Sequence, residues 1–371
     1  MKYYIIAGEV SGDLHGSNLM KEIKKCDENA TFRVWGGDRM QAVGGELVKH
    51  INELAFMGFT EVLKNIGKIY KNINLCKKDI LDFSPDAVIL IDYPGFNLRI
   101  AEYIHKKGFK VFYYISPQIW AWKKSRVNKV RKFVDKMFVI LPFEKEFYKK
   151  NGCDVEFVGH PLLDAISDEK FPILDDLEFR EKYSLSKKPI IAVIPGSRKQ
   201  EISKMLPSML KGVRKFDSYQ IVVTAAPSIP ESVYKKYMRD DEILIGEDTY
   251  SVMKNAHGAV VTSGTATLET ALFNTPLLVC YSGGRISYTI ARYLVDVDHI
   301  SLVNLIMEKE VVKELIQEQM NSENIQGQLE RVLSEEEYRK TILNDLEKLR
   351  EKLGGSGASS YAAKKMLEEL R

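Results

Sequence analysis

Short apolar runs of about five residues recur along this chain, and between most of them the apolar residues fall at helical spacing. A first series covers residues 3–7, 32–35, 87–91, 111–115, 137–141 and 155–158; a second covers 190–194, 220–224, 242–245, 259–262 and 276–280. Strand alternating with helix predicts parallel sheets covered by helices, an α/β chain. With 371 residues and 45% hydrophobic content, the chain is too long for one comfortable doubly wound domain and ample for two. Two similar series therefore predict two Rossmann-like doubly wound domains. The interval 161–189 contains Pro172, several acidic residues and no strong strand, so the boundary is expected there, giving domains at 1–165 and 166–354. After Val311 the pattern reads as purely helical. The run 354–360, rich in glycine and serine, is either a flexible linker with a tail or a turn that returns a last helix across the domains. Tyr361, Met366 and Leu370 have surface to bury, which favours the turn and assigns 355–371 to the first domain.

Composition removes several classes. A net charge of +3 with 28% charged residues makes no general demand for nucleic acid. Cys26, Cys76, Cys153 and Cys280 are scattered without a C-x-x-C pair, which points away from a zinc site or a disulfide framework and towards a reducing cytoplasm. No basic-then-apolar leader precedes residues 3–7, and no apolar run approaches the roughly 20 residues of a spanning helix, so neither secretion nor a transmembrane segment is expected. His15, His50, His105, His160, His257 and His299 lack metal-ligand spacing, and G-x-S-x-G, G-x-x-x-x-G-K and H-E-x-x-H are absent. Asp296-Val297-Asp298 matches a pattern that can hold a divalent metal on a diphosphate, yet it follows a helical stretch and lacks further acidic partners. No metal and no cofactor are expected.

Four turns carry the candidate chemistry. The strand 190–194 runs into Pro195-Gly196-Ser197-Arg198 with a helical pattern beyond, so Gly196, Ser197 and Arg198 suit a diphosphate: free amides at a helix start, plus a guanidinium that forks onto phosphate oxygens. Ser263, Gly264 and Thr265 repeat strand, small-residue turn and helix, and can complete that cradle, with Glu269 one turn on and within reach of ribose hydroxyls. Ordinary strand-to-helix packing is the other reading of this turn. The first turn, Gly8-Glu9-Val10-Ser11-Gly12-Asp13, is glycine-rich like a dinucleotide loop but carries two carboxylates where a pyrophosphate would sit. Glu9, Ser11 and Asp13 are therefore read as binding sugar hydroxyls or orienting a catalytic group, with a helix-capping Asp13 as the alternative. Strand 87–91 delivers Asp92 to its carboxyl end, where open α/β sheets bind ligands; partial desolvation raises the pKa there and makes a better proton acceptor. A capping aspartate is the alternative again.

Between residues 55 and 73 lies an amphipathic stretch with interleaved lysines, which suits either a core-facing helix or a membrane interface. General frequency favours the core. A second basic stretch, from Lys123 to Lys132, follows Trp120-Ala121-Trp122.

The quoted turns, together with Leu54-Ala55-Phe56-Met57-Gly58, Asp92-Tyr93-Pro94-Gly95-Phe96-Asn97, Ser116-Pro117-Gln118-Ile119-Trp120-Ala121-Trp122, Leu141-Pro142-Phe143-Glu144 and Ser301-Leu302-Val303-Asn304-Leu305, span nearly the whole chain in order. As a set they resemble the lipid-A-disaccharide synthases of Gram-negative bacteria. The resemblance implies a GT-B glycosyltransferase, two Rossmann-like domains facing a cleft, with a C-terminal helix crossing back. It further implies that UDP-2,3-diacylglucosamine is joined to 2,3-diacylglucosamine 1-phosphate as a β(1→6) disaccharide, with inversion and release of UDP. By the same resemblance Asp92 is the base for the acceptor 6-hydroxyl, Arg198 holds the donor diphosphate and Asn304 lies in the nucleotide site. The family usually has a second aspartate three residues after the first, where this chain has Gly95. The resemblance also implies a peripheral enzyme on the cytoplasmic face of the inner membrane and a homodimer with exchanged C-terminal segments. That turns Phe56, Met57, Phe59, Val62, Leu63, Ile66, Ile69 and Tyr70 towards the bilayer. The rival readings are a peptidoglycan-type glycosyltransferase, a UDP-sugar epimerase, or a non-catalytic binder of lipid and nucleotide sugar.

Overall fold

A computed structural model describes residues 1–54, 66–121, 124–166, 173–283 and 298–371. Phe56, Met57, Phe59, Val62, Leu63, Trp122, Lys123, Asp296 and Val297 lie outside the described residues, as does the side chain of Ile66. The chain divides into two compact units: Met1–Ser167 with Leu353–Arg371, and Asp168–Lys352.

In the first unit, β1 (Lys2–Ala7), β2 (Thr31–Gly36), β3 (Gly45–His50), β4 (Ala87–Ile91), β5 (Lys110–Tyr114), β6 (Lys136–Val139) and β7 (Glu156–Phe157) form one parallel sheet. Their spatial order is β3-β2-β1-β4-β5-β6-β7. Every residue of β4 is buried, as a strand covered on both faces requires, and its continuous apolar run was legible for that reason. A buried polar chain ties the sheet to the helix Ile66–Phe83. Trp35 Nε1 donates to Tyr4 Oη (2.7 Å), Tyr4 Oη donates to Asp79 (2.7 Å), and the Arg33 guanidinium clamps Asp79 at 2.9 and 2.7 Å. Along that helix Ile69 packs against the core, a correction to its expected place at a bilayer: neighbouring helical positions face different ways, and Tyr70 is the one exposed, at 57%.

In the second unit, β8 (Ile190–Ile194), β9 (Gln220–Thr224), β10 (Ile243–Ile245), β11 (Ala256–Thr262), β12 (Leu277–Tyr281) and β13 (Glu314–Ile316) form a second parallel sheet, ordered β10-β9-β8-β11-β12-β13. β13 corrects the reading of everything after Val311 as helical. It is three residues long, at a sheet edge, and one of the three is the buried Glu314, so it carries almost no apolar signal.

The last helix, Ala358–Glu368, packs on the helix Val10–Cys26 of the same chain. Asp164 caps it, accepting from Gly357 N at 2.5 Å and Ser359 N at 2.9 Å. The return passes Gly159, whose φ of +84° strains any residue with a side chain, while His160 N donates to the Leu353 carbonyl at 3.2 Å.

Candidate functional site

In each sheet the strand order reverses once. β1 and β4 are neighbours (Ala7 beside Ile91), as are β8 and β11 (Ile194 beside Val261), and the chain winds outward from each pair in opposite directions. Beyond the carboxyl ends of such a pair the flanking connections diverge and leave a crevice. The residues singled out from sequence emerge at these two places.

At the first, Ile91 leads into Asp92 and Tyr93, both left-handed with φ of +43° and +48°. Two consecutive non-glycine residues in this region cost on the order of 1–3 kcal/mol each and persist only where the surroundings enforce them. The enforcing contacts are explicit. The fully buried Asn97 donates from Nδ2 to the carbonyls of Ile91 (3.1 Å) and Asp92 (2.9 Å). Tyr113 Oη donates to the Asp92 carbonyl at 2.5 Å, and Asp92 N donates to Ile115 O at 3.3 Å. The Tyr93 ring lies so close over Gly8 that a Cβ there would stand 2.4 Å from a ring carbon, and it stacks on Phe96 with centroids 5.5 Å apart. The backbone of Asp92 is thus pinned. Desolvation, and then the charge of Glu9, push the Asp92 carboxyl up to about 7, offset by a hydrogen bond from the Tyr93 backbone.

Glu9, half-buried, precedes the helix Val10–Cys26, and Ser11 is exposed in its first turn. Asp13 behaves otherwise. It is 4% exposed and accepts from Gly37 N (2.7 Å), Arg39 N (3.1 Å) and Met40 N (3.1 Å), capping the short helix Asp38–Ala42. Its expected part in binding sugar hydroxyls is corrected to a structural one, because it is buried and both of its oxygens accept from backbone donors. Gly95 has open space where a side chain would be.

At the second place, Gly196 has φ of +99°, and a Cβ on it would meet the Glu201 carboxylate at 2.9 Å and the Thr262 methyl at 3.3 Å. Ser197 and Arg198 are exposed immediately before the helix Lys199–Val213, and Arg198 Nη1 donates to Glu201 at 2.7 Å. From the neighbouring strand, Gly264 and Thr265 are exposed at the start of the helix Thr265–Leu272, while Ser263 is fixed by its amide on Cys280 O (2.9 Å) and its hydroxyl on Ile300 O (3.4 Å). The carboxyl of Glu269 is pushed up to about 7 by desolvation, moderated by a hydrogen bond with Tyr250.

Asn304 is a second correction. It is fully buried; its Nδ2 donates to Val312 O (2.8 Å) and Glu314 Oε1 (2.9 Å), and its Oδ1 accepts from Val311 N (2.8 Å) and Val312 N (3.0 Å). With every amide position occupied, Asn304 shapes the loop into β13 and presents no polar group to a ligand. Sequence reading also missed contributors. Asn97 and Tyr113 hold Asp92. Thr262, 95% buried at the end of β11 beside Gly196, has a hydroxyl with no partner among the described residues. A polar residue at the end of an apolar strand was the available signal for Thr262; the long-range partners of Asn97 and Tyr113 had none.

A family model described as lipid-A-disaccharide synthetase matches residues 3–368. The lipid-A-disaccharide synthase of Syntrophus aciditrophicus is 41% identical over 369 residues, covering 97% of this chain and 95% of that protein. That of Geobacter metallireducens is 37% identical, covering 99% and 96%. Among solved structures, a UDP-GlcNAc 2-epimerase from Neisseria meningitidis bound to UDP-GlcNAc superposes with a TM-score of 0.70 at 14% identity, covering 99% of this chain and 100% of that one. The glycosyltransferase of kitacinnamycin gives 0.69 at 9% identity, covering 100% and 99%. These distant structures share the two-sheet α/β architecture, the GT-B fold, which epimerases and glycosyltransferases have in common. Relatives at this identity over nearly the full length, and a family match from the first strand to the last helix, decide between those activities: the chain belongs to the lipid-A-disaccharide synthetase family of glycosyltransferases.

Proposed function

We propose that this chain carries out the family's condensation by a metal-independent, inverting displacement, with Asp92 as the base and the turns at Gly196 and Gly264 holding the donor's diphosphate. The observation that carries the reading is Asp92 itself: a carboxylate at a sheet's reversal point, pinned in a left-handed conformation and titrating near neutral pH. A base whose pKa lies close to the working pH combines the right protonation state with a useful driving force. The acceptor 6-hydroxyl gives its proton to Asp92 as its oxygen bonds to the anomeric carbon of UDP-2,3-diacylglucosamine. The bond from that carbon to the β-phosphate oxygen breaks, and the electron pair leaves with UDP.

Arg198 and the amides at the two helix starts take up the charge on the departing diphosphate, and the Thr262 hydroxyl, without a partner among the described residues, is suited to the same task. Glu269 is assigned to ribose hydroxyls, and Glu9 and Ser11 to sugar hydroxyls. Within this reading the enzyme works as a homodimer, peripheral on the cytoplasmic face of the inner membrane, with Phe56, Met57, Phe59, Val62, Leu63, Ile66 and Tyr70 against the bilayer. In support, no helix among the described residues is long and apolar enough to cross a membrane, and Tyr70 is exposed on the helix that follows this stretch.

The test is to incubate the purified chain with UDP-2,3-diacylglucosamine and 2,3-diacylglucosamine 1-phosphate in the presence of a chelator. The expected result is a disaccharide and UDP in equal amounts, with no UDP release when the acceptor is omitted. Conversion of the donor without an acceptor would support an epimerase instead.

A further inference from the structure

A groove of about 450 Å³ runs between the helices Ile66–Phe83 and Pro94–His105. Its charged lining is lopsided. Lys77, Arg99 and Lys106 face a single carboxylate, Glu102, and that carboxylate is already held by Lys106 at 3.1 Å and Lys129 at 2.8 Å. Lys77 and Arg99 are in no ion pair among the described residues. They lie over aromatic faces instead, Lys77 Nζ 4.6 Å from the Tyr103 centroid and the Arg99 guanidinium 5.9 Å from that of Tyr70. An aromatic face orients a cation without neutralising it. A concave site with uncompensated cations, two phenol rings and the aliphatic Ile73 suits an anion attached to an amphipathic body.

We propose that this groove is the subsite for the phosphate of the glycolipid acceptor, with Arg99 and Lys77 as its ligands. The proposal rests on the acceptor being the phosphorylated diacylglucosamine named above. Position selects this occupant. The helix carrying Arg99 begins at Pro94, directly after Asp92 and Tyr93, so Arg99 stands about 8 Å along the axis from the helix start. Its guanidinium lies over the Tyr70 ring of the neighbouring helix. A sugar with its 6-hydroxyl on Asp92 carries its anomeric phosphate on the far side of the ring, a reach comparable with the rise from the helix start to Arg99. In sequence, the helix bearing Lys77 and Tyr70 directly follows the apolar stretch assigned to the bilayer.

The test measures binding of two acceptors in neutral detergent micelles, 2,3-diacylglucosamine 1-phosphate and its dephosphorylated analogue, to the full chain and to the Lys77→Ala/Arg99→Ala double variant. The native chain is expected to prefer the phosphorylated acceptor and the double variant to lose about tenfold or more of that preference, as removal of charge-assisted hydrogen bonds does. UDP affinity should be unchanged, and Lys77→Arg/Arg99→Lys should restore most of the preference. A double variant that keeps the native preference overturns the proposal. So does one that loses binding only to phosphatidylglycerol vesicles, relative to phosphatidylcholine, with acceptor affinity unchanged, because the groove would then hold a membrane headgroup. A native chain that shows this preference yet forms no disaccharide would sink the functional reading and leave the groove standing.

Discussion

Asp92 concentrates the cost and the use of the first reversal point in one side chain. Its carboxyl is held near 7 against an ordinary value of 3.8, so between about pH 4 and pH 7 the folded chain keeps a proton that the unfolded chain has lost. The contribution is fully present at low pH and disappears as pH rises through that window, leaving a buried charge above it. Asp92→Asn removes that charge. Scanning calorimetry at pH 8 should therefore find the variant more stable than the native chain, by an amount on the order of 2 kcal/mol, with the gap closing near pH 4. A variant that melts lower at pH 8 would show that the carboxylate is not under strain. With Asp92 as the proposed base, the pH profile of kcat/KM is expected to rise through about 7, because the carboxyl must be ionised to accept a proton.

At the scale of elements, Asn304 shows how a polar residue in a motif can serve the site indirectly. Its four hydrogen bonds close the loop between the helix Leu302–Met307 and β13. Asn304→Ala would leave two amides and a carbonyl without partners, at about 1–3 kcal/mol for each buried group. The expected outcome is a fall of several degrees or more in melting temperature, and faster hydrogen exchange at Val311 and Val312 than elsewhere in the unit. Weaker UDP binding with unchanged stability would return Asn304 to the nucleotide site. The central strands were legible because each is a continuous apolar run buried on both faces. Of the edge strands, β7 and β10 were read within the runs 155–158 and 242–245, whereas β3 and β13 were not: Gly45-Glu46-Leu47-Val48-Lys49-His50 alternates poorly, and Glu314-Leu315-Ile316 is too short to register. The turns were found from their small residues and charges, whereas their supports were hidden. Asp13 reaches backbone donors more than twenty residues away, and Tyr113 reaches Asp92 from the next strand, pairings that no local pattern encodes.

At the scale of the whole molecule, the same device occurs twice in one chain. A parallel sheet reverses its winding, and the loops at the reversal carry polar residues outward: an ionisable carboxyl in the unit that contains both termini, a cation and helix-start amides in the other. This duplication was readable from two series of strands, and the family from motifs spread over nearly the full length. The chain's return to the first unit was readable only as a glycine-rich break before a helix with surface to bury. What the sequence did not contain was the anchor, Asp164, which fixes the start of that helix. The central claim is that proton abstraction and diphosphate binding belong to different units and are separable. It is tested most directly by measuring turnover and UDP affinity together, by disaccharide assay and titration calorimetry, for Asp92→Asn and Arg198→Ala. The account predicts that Asp92→Asn loses about 10²-fold or more in turnover while binding UDP like the native chain, and that Arg198→Ala binds UDP about tenfold more weakly. Native turnover in Asp92→Asn, or UDP binding lost there and kept in Arg198→Ala, would contradict it.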